Sequence, residues 1–227
     1  NSNVIPTGAN TLELKYSGTA AGTGVGLFYE GGTGANLLNT LNVKLVDTVG
    51  TTGGLIGVYT AGGGKLTNTA TISGDKGYGI VTEGSEVDNS GNITFNNVIS
   101  KDRPSVGMFS REHSGSFGNM RNSGTITMNN KNAVGMLATI GSNLTNSKKI
   151  ELNGVSSAGI YGEDSGMTNL GVNSEIIVNK EASAGMYAKL TSASTVDKNS
   201  KNEGKIKINA DGNGKSAAKY SKIQSGT

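Results

Sequence analysis

The sequence predicts an all-β fold, a parallel β-helix (solenoid) of about seven to eight coils with three short strands per coil. Three observations predict it. A glycine-centred element recurs about every 27 residues, an element of alternating apolar residues follows it, and a lone apolar position lies between the two.

The first element is a small or apolar residue, then glycine, an aliphatic residue and usually an aromatic. It reads Val25-Gly26-Leu27-Phe28, Ile56-Gly57-Val58-Tyr59, Tyr78-Gly79-Ile80-Val81, Val106-Gly107-Met108-Phe109, Val134-Gly135-Met136-Leu137, Ala158-Gly159-Ile160-Tyr161 and Ala184-Gly185-Met186-Tyr187. Ala217-Ala218-Lys219-Tyr220 is a degenerate eighth copy. The intervals run from 22 to 33 residues, so loops absorb insertions while the element persists.

The second element alternates apolar and polar residues, the period of a half-buried strand. Its copies are Leu12/Leu14, Val43/Leu45, Ile93/Phe95, Ile126/Met128, Ile150/Leu152, Ile176/Val178 and Ile206/Ile208, with Ile72 paired to Gly74. The lone apolar position, six residues before this element, is Leu37, Leu66, Val87, Met120, Leu144 and Leu170, and in the last unit Ser200, with Val196 upstream. Units this short hold no βαβ crossover, and no segment repeats apolar residues at helical spacing. A sandwich predicts no fixed order of three distinct elements. Coils stacked at about 4.8 Å bury one continuous column and make a rod of roughly 35–40 Å.

Alternation assigns faces. Residues either side of the glycine are expected to point inward, and the glycine and the residue two later outward. The outward row is then Phe28, Tyr59, Val81, Phe109, Leu137, Tyr161, Tyr187 and Tyr220, an aromatic stripe beside a bare glycine track. A third row is polar: Asn39, Asn68, Asn89, Asn122, Asn146 and Asn202 stand four residues before the second element. In the sixth unit that spacing lands on Val172, with Asn173 one place late. Asparagine suits tight corners and can hydrogen-bond to its stacked copy, so the row is expected to be a structural ladder.

Composition narrows the function. The 227 residues carry a net charge of +3, too little for a nucleic-acid footprint. The one asymmetry is Lys198, Lys201, Lys205, Lys207, Lys215, Lys219 and Lys222 against Glu203 and Asp211, either a solvated face or a surface for an anionic partner. Absence of Cys excludes a disulfide framework and thiolate metal sites. No apolar run reaches the ~18–20 residues of a membrane-spanning helix. Asn1-Ser2-Asn3 opens without a signal peptide, as a mature fragment also would.

Catalytic signatures are sparse. His113 is the only histidine and lies in a polar segment, and no Gly-x-Ser-x-Gly elbow occurs. Carboxylates fall at different repeat positions. Glu83 and Glu163 share a row but lie three coils apart, roughly 14 Å. The expectation is a protein that is not an enzyme, with no catalytic residues, no metal and no cofactor. Two features suggest binding instead. One is the aromatic stripe, Phe28, Tyr59, Phe109, Tyr161, Tyr187 and Tyr220. The other is the fourth coil, whose long loops 96–105 and 110–119 flank one strand and are expected to protrude close together, carrying Lys101, Asp102, Arg103, Arg111, Glu112, His113 and Phe117. Insertions on a solenoid usually lie on its working face.

The recurrent Asn89-Ser90-Gly91-Asn92-Ile93-Thr94-Phe95-Asn96 and Asn122-Ser123-Gly124-Thr125-Ile126-Thr127-Met128-Asn129, followed by elements such as Ala184-Gly185-Met186-Tyr187, resemble type V autotransporter passengers. The chain is most similar to the large fusobacterial outer-membrane adhesins, the RadD type and its galactose-binding relative, over about residues 10–220. The resemblance implies a right-handed β-helix displayed on the bacterial cell surface and anchored in the outer membrane by a C-terminal β-barrel. It implies binding to a host-cell receptor or glycan, or to the surface of another bacterium. No binding residue of that family maps onto a motif here. The expected role of residues 1–227 is an adhesin segment cut from a longer rod. The alternatives are a spacer within the stalk and, third, a carbohydrate-active enzyme.

Overall fold

The computed structural model describes residues 2–6, 10–16, 23–47, 54–96, 104–191, 200–210 and 215–224. Among them every regular element is a strand, and the strands form three sheets of nine, seven and eight members. Each coil visits the sheets in a fixed order. Thr11–Tyr16 joins the alternating sheet, Gly24–Glu30 the glycine sheet, Asn36–Asn39 the asparagine sheet, and Asn42–Asp47 returns to the first. Every cross-coil pairing is parallel, so the fold is the expected parallel β-helix. The exception is the first strand, Ser2–Pro6, which runs antiparallel on Thr11–Tyr16. The repeat did not announce that reversal.

Register follows the sequence rows. Val43, Ile72, Ile93, Ile126, Ile150 and Ile176 stand on one another in the alternating sheet. All six are at most 1% exposed. Val58, Ile80, Met108, Met136, Ile160 and Met186 form the facing column, each 0% exposed. Burying a side chain of this size is worth about 1.5–3 kcal/mol, and the columns are continuous from coil to coil. Gly74 breaks the apolar pattern for a packing reason. A Cβ there would lie 2.7 Å from Leu45 Cβ and 3.2 Å from the ring of Phe95, which occupies the space.

The asparagine row is a hydrogen-bonded ladder. Asn39 donates to Asn68 at 2.7 Å, Asn68 to Asn89 at 2.7 Å, Asn89 to Asn122 at 2.9 Å and Asn122 to Asn146 at 2.9 Å. The second amide proton holds the corner: Asn68, Asn89 and Asn122 each donate at 3.0 Å to the carbonyl two residues on. Tyr29 closes the N-terminal end, its hydroxyl donating to Asn39 at 3.2 Å.

The sixth rung corrects the sequence register. It is Asn169, not Val172 or Asn173: Asn146 donates to it at 2.8 Å, and it donates to Asn202 at 2.8 Å. Met167, 1% exposed, likewise fills the lone apolar position assigned to Leu170, which is 38% exposed. The corner here holds extra residues around Gly171, whose φ is 81°, so counting four back from Ile176 stops short of the rung. Ser200 does pair with Met167, and Val196 lies outside the described residues. A second, more exposed ladder joins Asn96, Asn129, Asn153, Asn179 and Asn209, with each later residue donating to the earlier one.

Replacing Asn122 by Ala leaves the Asn89 amide and the Asn146 carbonyl buried without their partner. We expect a loss of at least about 2 kcal/mol, read as a lower urea midpoint at unchanged slope. The same change at exposed Asn202 should cost less than about 1 kcal/mol. Equal midpoints for the two variants would remove the ladder as a source of stability.

Candidate binding furrow

Strict alternation fails at one place in every coil of the glycine sheet. The glycine faces inward, contrary to the expected outward track. A Cβ on Gly107 would lie 2.8 Å from Ile126 Cγ2, and one on Gly159 2.6 Å from Ile176 Cγ2. The next residue, such as Met108 or Ile160, is also fully buried. Only the residue after glycine therefore points in as expected. The one before it faces out, as Val25, Ile56 and Tyr78 do.

Two successive inward residues push the flanking outward columns three residues apart, about 10 Å instead of about 7 Å. A furrow between the two columns results. One rim is the column Val25, Ile56, Tyr78, Val106 and Val134, in which Val106 is fully covered, falling to alanine at Ala158, Ala184 and Ala217. The other is the aromatic row, in the order read from the sequence.

The furrow has two open reaches. The first, about 550 Å³, runs over coils one to four between Val25 and Ile56 on one side and Phe28 and Tyr59 on the other. Phe28 stacks on Tyr59 at 5.3 Å. Tyr78 stacks on Phe109 at 6.0 Å and bridges the two rims. Val81, 3% exposed, lies beneath the rings. The second reach, about 260 Å³, lies beside Tyr187, Tyr220 and Lys215 over Ala184 and Ala217. Tyr161, Tyr187 and Tyr220 stack at 4.9 and 5.0 Å. The rings thus pack mainly on one another, and the most open are those at the ends, Phe28 at 57% and Tyr220 at 46% exposed.

Charges flank the aromatic rim on the next outward column. Glu83 pairs in register with Arg111, and their side chains form an ion pair. His113 Nδ1 lies 3.5 Å from the same carboxylate. Three coils on, Lys189 donates to Glu163 at 2.7 Å. That hydrogen bond holds the Lys189 ammonium above its ordinary range. Burial, and then the Glu163 charge, push the Tyr161 phenol upward. Among the described residues, no three His, Cys, Asp or Glu side chains gather as a metal site.

The fourth-coil residues separate. Arg111 lines the first reach of the furrow, and His113 stands beside it. Glu112 accepts the Gly115 N–H at 2.8 Å and so closes the local turn. His113 and Ser116 exchange backbone hydrogen bonds, and both lie against Gly84 in the preceding coil. Phe117, 40% exposed, covers Gly141 in the following coil and borders a different depression. Segment 110–119 is thus laid along its neighbours. Lys101, Asp102 and Arg103 lie outside the described residues. Sequence reasoning missed the furrow, the inner rim with Tyr78, and Lys215 as its neighbour. The only signal was Tyr78 as the lone aromatic before a glycine.

A three-sheet parallel β-helix with a furrow along one sheet places the chain in the pectate lyase-like class of β-helical domains. The chain belongs to the family of the BigA third pectate lyase-like domain, whose model matches residues 43–223. Comparison with curated proteins and with solved structures gave no match. The family supports a β-helical domain of a bacterial surface protein, the coarser part of what the autotransporter resemblance implied. It does not single out the fusobacterial RadD type.

The furrow depends on the inward glycine. A Cβ on Gly107 would lie 2.5 Å from the Gly135 carbonyl oxygen. Gly107→Ala should therefore destabilise by about 1–3 kcal/mol and separate coils four and five. Faster amide exchange confined to Val106–Arg111 and Val134–Thr139 would show this, and unchanged exchange would mean that the coils absorb the methyl group.

Proposed function

We propose that this chain is a binding segment of a bacterial surface adhesin. It engages its partner through the furrow of the glycine sheet and performs no catalysis. One observation carries the reading: Arg111, from the charged fourth-coil set, lines the same 550 Å³ reach as Phe28, Tyr59 and Phe109 of the aromatic stripe. Two features separate in the sequence become one surface, apolar at its centre with a cation at its edge. That is the composition of an interaction site more than of a solvated face. The nearest carboxylate, Glu83, is already engaged by Arg111, which suits a binding surface better than a general base.

The full-length protein would then carry this rod outside the cell, anchored in the outer membrane through a C-terminal β-barrel. The partner would be a host-cell receptor or glycan, or the surface of another bacterium. A spacer role is the second reading. It is favoured by the two asparagine ladders, which stiffen the column whether or not anything binds.

Binding of the 227-residue chain to host cells and partner bacteria separates the two. Tyr59→Ala combined with Phe109→Ala should lower binding at least about tenfold, as loss of an aromatic hot spot does, while the urea midpoint shows the double variant folded. Full binding by the double variant would overturn the furrow as the contact surface. No binding by the unaltered chain would leave the spacer.

A further inference from the structure

We propose that the ligand of the furrow's first reach is a proline-rich peptide segment, held in the polyproline II conformation and lying along the rod axis. This rests on the reading of the furrow as the binding surface. The polar side chains that line this reach are Thr23, Tyr59, Tyr78 and Arg111, and among the described lining residues none is a carboxylate, asparagine or glutamine. The Tyr59 and Tyr78 hydroxyls have no hydrogen-bond partner among the described residues. Arg111 carries more N–H donors than its ion pair with Glu83 engages. The reach therefore offers donors and aromatic faces, and its complement is a ligand of apolar rings rich in acceptors and poor in donors. A proline-rich chain has that chemistry. Each proline brings a ring and a carbonyl but no N–H, and polyproline II makes no internal hydrogen bonds, so its carbonyls stay free to accept. Sugar hydroxyls each donate as well as accept, and this lining supplies few acceptors to meet them.

The spacing of the rings matches such a peptide. Along the aromatic rim Phe28 and Tyr59 stand in coils one and two, Val81 lies low in coil three, and Phe109 stands in coil four. Tyr59 and Phe109 are thus two strand spacings apart, about 9.6 Å. One turn of polyproline II is three residues, about 9.3 Å. Successive turns of one peptide therefore meet the Phe28–Tyr59 stack and the Tyr78–Phe109 stack, with the dip at Val81 between them. Two turns, six residues, cover both. The preformed conformation loses little entropy on docking, and an uncharged ligand should bind with little dependence on added salt.

The test is an amide chemical-shift titration of the 227-residue chain, which reads affinities into the millimolar range. The probes are peptides of three, six and nine prolines, a glycine–serine peptide of nine residues, and neutral and acidic oligosaccharides of six rings. The six-proline peptide should shift the amides of Gly24–Glu30, Leu55–Ala61 and Val106–Arg111 and bind at least about tenfold tighter than the three-proline one. Nine prolines should bind little tighter than six, and the glycine–serine peptide should not bind. Tyr59→Phe and Tyr78→Phe keep the rings and their stacking while removing one donor each. Each should lower affinity for the six-proline peptide about threefold to tenfold. Equal binding by the glycine–serine peptide, no rise from three prolines to six, full affinity in both phenylalanine variants, or binding of a saccharide but of no proline peptide would overturn the proposal. Lost cell binding in the Tyr59/Phe109 variant, with no proline peptide bound by the unaltered chain, would overturn the proline ligand alone and leave the furrow as the contact surface.

Discussion

Every feature of this molecule depends on the requirement that equivalent residues of successive coils stand on one another at strand spacing. The inner asparagine ladder enforces it. One amide proton of a rung such as Asn68, Asn89 or Asn122 reaches the next coil and the other holds its own corner, so a rung out of place would leave buried groups without partners. That cost explains the sixth coil. The corner there accepts extra residues, with Leu170 and Val172 exposed, while Asn169 stays on the ladder. Length variation goes outward to loops because the column cannot take it up.

The same requirement produces the furrow. Inward glycines leave room for the isoleucines of the alternating sheet and for the carbonyl of the neighbouring coil. Because glycine and its successor both turn in, the outward columns separate. A packing solution in the core thus becomes surface relief along the rod. The side chains beside the furrow then vary from coil to coil, large at Ile56 and Tyr78 and small at Ala184 and Ala217, while the core stays constant. Membership of the BigA third pectate lyase-like domain family fits this division, a shared β-helical frame with its particular chemistry on one face.

Much of the fold was legible because a solenoid writes its contacts as a period. Rows of isoleucine, methionine and asparagine at equivalent positions are both the sequence signal and the cross-coil contacts. The antiparallel strand Ser2–Pro6 occurs once, so no period carried it. The second asparagine ladder was visible three residues after each leading isoleucine from Ile93 onward, but the first ladder already accounted for the corners. Less of the candidate site was legible. Arg111 and Phe109 are two residues apart in sequence and were assigned to different features, loop and stripe. Lys215 and Tyr78 belonged to neither.

By itself the sequence determined the three-strand coil, the order of its elements, the buried column of the alternating sheet and all but one rung of the ladder. Period and polarity suffice for those, because each coil repeats the same local solution. Only the tertiary structure decided which way the glycines face, since a two-residue alternation conceals a place where two successive residues turn inward. It also decided which rings stack on each other and that a cation from a loop borders them. Those relations join residues of different coils and different faces, and their distances are set by how the sheet bends at each glycine.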